Sequence, residues 1–168
     1  MKRLGLALVA ALFVIVIAGI YVSRSRAAGQ PLRFSHKAHV NEAKCTACHP
    51  NYEKHASAGL PRLADCLDCH EGTQSKEPED VKEEAKLVQY AEKKAEIRWV
   101  RLYRVPDHSF FSHRRHVVLG KLECKMCHGE IEASDAPPRR PAQPIEMEWC
   151  VSCHRKEKVS TDCNGCHR

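Results

Sequence analysis

No cysteine in this chain stands alone. All ten fall in Cys-x-x-Cys pairs, which leaves no single thiol for a nucleophile and no odd one for an intermolecular bridge. Absent too are paired carboxylates spaced for acid–base work, a serine–histidine constellation and a glycine-rich phosphate loop. These absences remove the usual sequence grounds for hydrolysis, acyl transfer and nucleotide binding.

What is present is a histidine directly after every pair. The copies read CTACH (Cys45, Cys48, His49), CLDCH (Cys66, Cys69, His70), CKMCH (Cys124, Cys127, His128), CVSCH (Cys150, Cys153, His154) and CNGCH (Cys163, Cys166, His167). This is the c-type haem attachment signature. Two thiols add across the porphyrin vinyl groups, and the adjacent imidazole coordinates the iron. Disulfides, zinc or a thioredoxin-like pair need no histidine at that place, and zinc would use such pairs two at a time, which five motifs do not allow. Five covalently attached haem c groups are therefore expected. The formal charge of +6 is offset by two propionates on each porphyrin. Basicity here balances cofactor charge, and no nucleic-acid partner is expected.

At the amino end, Leu4 to Val22 is an apolar run without a charge, preceded by Lys2 and Arg3 and followed by Arg24 and Arg26. A cleaved signal has a shorter apolar centre of about 7 to 15 residues and a small-residue cleavage site, whereas about 20 residues can span a bilayer. The expectation is a retained transmembrane anchor over residues 1–23. Both flanks carry equal basic charge, so orientation follows from haem attachment, which takes place outside the bacterial cytoplasm. The haem-bearing part is then expected on the periplasmic side of the inner membrane.

An internal repeat organises the rest. Phe34–Val40 (FSHKAHV) matches Phe111–Val117 (FSHRRHV), and each copy precedes two haem motifs. This suggests a first dihaem module at 24–77 and a second at 107–168 that also carries the fifth motif. Between them, 78–106 is read as a connecting helix (Pro78 to Ile97) and an extended segment, IRWVRLYRV. Val81, Ala85, Val88, Ala91 and Ala95 mark the helix's apolar face, Pro78 suits its first turn, and its charge run reads as a solvated face. Ala136 to Pro144 is rich in proline and reads as an open loop. From Ala28 onward there are about 28 residues for each haem, too few for an ordinary core. The expected fold is mostly irregular, with short α-helices and little strand, wrapped around closely packed haems.

Ligand supply separates an electron carrier from an enzyme. His49, His70, His128, His154 and His167 provide one ligand to each iron, leaving His36, His39, His55, His108, His113 and His116. His36 with His39, and His113 with His116, are spaced to project from one face of a helical turn, giving two further ligands to each module. For the fifth iron the candidates are Met147, His55 and His108. Met147 is preferred over His55, with His108 read as a spare. Irons capped on both sides leave no open position for substrate, so electron transfer is expected rather than catalysis. The alternative is a multihaem reductase of the nitrite or hydroxylamine type, with one open iron.

The Phe-Ser-His-x-x-His starts and the motifs behind them resemble the class III multihaem cytochromes c. The stretches ASAGLP before CLDCH, IRWVRLYRVPDHSFFSHRRHV and MEWCVSCHR resemble the membrane-anchored pentahaem cytochrome subunit of alternative complex III and its relative in quinone reductase complexes of sulfate reducers. This resemblance implies an iron–sulfur/molybdopterin-like subunit and a quinone-binding membrane subunit as partners, with a soluble cytochrome, another electron carrier or an oxidase beyond them. It also implies four bis-histidine haems and one histidine–methionine haem, with Met147 as the thioether ligand.

Overall fold

The computed structural model describes residues 12–17 and 29–167. The elements are short helices, and most are set by the thiol motifs. Helix α1 is His36–His39, α2 Cys45–Cys48, α3 Leu63–Leu67 and α4 Pro78–Glu92. A π-helix at Arg114–Leu119 follows, then α5 (Lys125–His128), a 3-10 turn at Ile131–Ala133, α6 (Met147–Lys156) and α7 (Cys163–Cys166). One helical turn places residues three apart on the same face, so a Cys-x-x-Cys pair wound this way presents both sulfurs together. Ser35 caps α1 by accepting from the Ala38 N–H at 3.2 Å. Asp162 caps α7 by accepting from the Asn164 N–H at 3.1 Å, and such caps matter where a helix is a single turn long.

The connecting helix is present but stops at Glu92, short of the expected Ile97. Pro78 opens it, with Glu79 and Asp80 in the first turn, where their charge complements the helix dipole. It closes on Lys94, in the left-handed region at φ +50°. The Lys94 N–H donates to Ala91 O and the Ala95 N–H to Tyr90 O, both at 3.0 Å, a Schellman closure. The buried face also differs from the expected one. Leu87 is buried while Val88 is exposed, because the inward side carries Glu83 and Glu84 as well as Leu87. Ile97 to Val105 has neither helix nor sheet ladder; among the described residues the β pairing is an isolated bridge between Ser109 and His167.

Leu32, Leu63, Leu87 and Ile97 form the buried core, with Cys66, Leu67, Tyr90, Ala91 and Trp99 packed on it. It underlies the second thiol motif only. The two repeats brace each other through the backbone instead. Lys37 N–H donates to Ser134 O at 3.2 Å, His113 N–H to Ala56 O at 3.0 Å and Arg114 N–H to His55 O at 3.3 Å. Each Phe-Ser-His-x-x-His start therefore lies on the other half of the chain. The π-helix ends at Gly120, where a Cβ would meet the His116 carbonyl at 2.7 Å, so glycine is required by close approach.

No helix among the described residues is long and apolar enough to cross a membrane. This corrects the transmembrane anchor expected at residues 1–23, and the single-pass inner-membrane placement built on it. Within Leu4–Val22, residues 12–17 are described as helical and exposed. The rest of that run lies outside the described residues.

Candidate functional site

None of the ten cysteines is in a disulfide, and none is fully buried. Burial, followed by the neighbouring Cys48 thiol and acidic groups, pushes Cys66 up to about 11. Burial likewise raises Cys48, Cys124, Cys127 and Cys150. Among the described residues no group of three or more His, Cys, Asp or Glu side chains is gathered as a metal cage.

The two histidine pairs form matching constellations. Phe34 meets His36 edge-on at 4.9 Å and His39 at 4.4 Å; Phe111 meets His113 edge-on at 4.9 Å and His116 at 4.6 Å. His39 Nδ1–H donates to Ser35 O at 2.7 Å, and His116 Nδ1–H to Ser112 O at 2.8 Å. The phenylalanine rings thus wedge the paired imidazoles apart and aim them in different directions.

Those directions lead to the motif histidines. His39 faces His70 at 6.0 Å between ring centres, with planes 42° apart. His116 faces His154 at 6.1 Å and 41°. His113 faces His128 at 6.4 Å and 11°. For His36, burial lowers the pKa to about 4, with His49 the leading charged neighbour. Two imidazoles bonded to one metal at about 2 Å each stand with ring centres about 6 Å apart. The phenylalanine–histidine contacts are shorter, as direct ring packing should be.

Hydrogen bonding fixes the tautomers. A carbonyl or carboxylate only accepts, so a ring nitrogen facing one carries the proton. His49 Nδ1–H donates to Gly59 O at 2.9 Å, His154 to Ser160 O at 2.8 Å and His113 to Ala56 O at 2.7 Å. Gly59 sits at φ +83°, which turns its carbonyl toward His49 and gives ASAGLP a local purpose. His70 donates instead to the Glu84 carboxylate. In each of these rings Nε2 keeps its lone pair, as a metal ligand needs. Burial also lowers His113 and His128, and keeps those imidazoles neutral. His36 Nδ1 is buried with no hydrogen-bond partner, an orphan that fits a site built for a group beyond the polypeptide.

The remaining candidates are dispersed. Met147 stands at the start of α6 and is 59% exposed. His55 is exposed and contributes its backbone carbonyl to Arg114. His108, read from the sequence as a spare, faces His167 at 5.5 Å with the planes 19° apart. Sequence reasoning also missed Glu84, because it sits inside a charge-rich helix where any carboxylate looks solvated. No spacing rule marks it.

Residues 20–98 match the class III cytochrome c family, and residues 109–168 match cytochrome c7 and related cytochromes c. Over 160 residues the chain is 34% identical to the multihaem cytochrome c subunit of menaquinone reductase from Nitratidesulfovibrio vulgaris strain Hildenborough, across 82% of this chain and 74% of that one. The paired thiols fit the covalent attachment of haem c, and the facing imidazoles fit axial ligation. The chain accordingly belongs to the class III multihaem cytochrome c family, as an electron-transfer protein that binds haem c covalently.

Proposed function

We propose that this chain is a pentahaem electron relay within a quinone-linked reductase complex. The observation that carries this reading is the facing of three motif histidines, His70, His128 and His154, with His39, His113 and His116 of the two repeats. Cys45, Cys48, Cys66, Cys69, Cys124, Cys127, Cys150, Cys153, Cys163 and Cys166 hold the five macrocycles. His49 with His36, His70 with His39, His128 with His113 and His154 with His116 cap four irons, and His167 ligates the fifth. Residues 24–77 and 107–168 act as the two modules, joined by 78–106. Within each iron's reach the residues only bind and orient; the haem supplies the reversible one-electron chemistry, set by its axial ligands and hydrogen bonding.

The partners are a quinone-binding membrane subunit and an iron–sulfur/molybdopterin-like subunit on one side, and a soluble cytochrome or other carrier on the other. The likeness to a menaquinone reductase subunit supports this assignment. Mild-detergent purification of the complex tests it: those subunits should co-purify, with five haems per chain by pyridine-haemochrome analysis. A haem ratio well below five, or a chain that purifies with none of these partners, would overturn the proposal. Carbon monoxide binding to the native ferrous protein would favour the open-iron reductase instead.

A further inference from the structure

The fifth motif lies outside both repeats, so nothing in the repeat supplies its second ligand. We propose that His108 is that ligand, which puts nitrogen on both faces of the iron held by Cys163, Cys166 and His167. The inference deepens the relay reading above and rests on it. Three independent features of the chain converge on this assignment.

The first is ring geometry. His108 and His167 stand 5.5 Å apart with planes 19° from parallel. The three repeat-derived pairs span 6.0 to 6.4 Å. Every one of these pairs joins a motif histidine to a histidine outside the motifs.

The second is the backbone that holds His108 in place. Ser109 N–H donates to Pro106 O at 2.8 Å, closing a turn around the histidine. Ser109 then pairs with His167 in an antiparallel bridge, and Phe110 N–H donates to Cys166 O at 2.6 Å. The segment carrying His108 is thus fastened to the motif itself, so placing the imidazole adds little ordering entropy.

The third is where the other candidates stand. Met147 lies at the amino end of α6 and His55 on a loop braced against Arg114; His108 is exposed as they are, and what sets it apart is the His167 ring stacked opposite it. His39, His113 and His116 each face a different motif histidine. His108 is the imidazole that faces His167.

The consequence is functional. A thioether ligand would raise one potential above the rest and make the carboxyl-terminal haem a high-potential exit. With His108 in its place, all five irons are bis-imidazole and the relay has no built-in high-potential step at that end.

The test uses the full-length protein matured with haem. Ferric wild type should lack the far-red methionine–iron charge-transfer band. His108→Ala should turn one low-spin centre in five high-spin by electron paramagnetic resonance, and added imidazole should restore it; Met147→Leu should leave all five low-spin. A methionine–iron band in wild type that disappears in Met147→Leu would overturn the assignment, as would a wholly low-spin His108→Ala protein. Should His108→Ala fail to mature, His108→Met decides: a new charge-transfer band supports the proposal, and an unchanged spectrum refutes it. A haem ratio short of five is a separate failure, of the relay reading.

Discussion

A carboxylate hydrogen-bonded to an iron-ligating imidazole changes the charge the metal experiences. Glu84 accepts from His70 Nδ1 and also from the Ser75 N–H at 2.8 Å and the Gln74 N–H at 3.0 Å. Burial works to raise its pKa, but the Ser75 and Gln74 N–H groups and His70 outweigh that, and the carboxyl stays below its ordinary range. At His49, His154, His39, His116 and His113 the corresponding acceptor is a neutral backbone carbonyl. With His70 as the proposed iron ligand, the anion beside it would make that imidazole a stronger donor and favour ferric iron. Replacing Glu84 with Gln should therefore raise one haem potential, by about 60 mV if the preference changes tenfold in a one-electron couple. Spectroelectrochemical titration of the two proteins measures it, and superimposable curves would rule the role out. Residues of this kind are not legible in sequence. Cys-x-x-Cys-His states its chemistry by spacing alone, whereas Glu84 acquires its part only when α4 folds beside His70.

At the scale of elements, what is repeated was legible in the sequence and what is rotated was not. Phe-Ser-His-x-x-His recurs with its geometry intact, because the phenylalanine packs on both histidines and the serine carbonyl accepts from the second histidine within a single turn. The face of α4 was not readable in the same way. Hydrophobic spacing pointed to Val81, Ala85 and Val88, but Asp80 and Glu83 are bound to Arg33 and Glu84 to His70. Those ties turn the helix so that Leu87, rather than Val88, meets Leu32, Leu63 and Ile97. Truncating Leu87 to Ala should cost about 2–4 kcal/mol, whereas Val88→Ala should stay within about 0.5 kcal/mol. Guanidinium unfolding of the haem-loaded variants compares them. Equal losses at the two positions would mean that the helix presents the other face.

Across the whole molecule, thiol electrostatics give the order in which the motifs adjoin. Cys48 of the first motif acts on Cys66 of the second, and Cys45 of the first on Cys124 of the third. Cys153 and Cys150 of the fourth act on Cys127 of the third, and Cys166 of the fifth on Cys150. These neighbours set the second site beside the first, the first beside the third, the third beside the fourth and the fourth beside the fifth, consistent with a line, and the cross-braces at Ser134 and at His55–Ala56 hold the first–third junction together. Sequence alone does not give this order, since the backbone bonds that turn the first motif inward join residues far apart along the chain. Electron tunnelling weakens steeply with distance, so a line conducts through its neighbours and fails at a gap. Removing the end site with Cys163→Ala and Cys166→Ala should leave four haems that a donor at either end of the remaining line reduces in one fast phase. Removing the first site with Cys45→Ala and Cys48→Ala should instead strand haems beyond the gap, splitting reduction into a fast and a slow phase. Stopped-flow absorbance on the purified complexes, normalised to haem content, distinguishes the two. A single fast phase in the variant lacking the first site would mean that the second and third sites touch directly, and that the line drawn here is in fact a cluster.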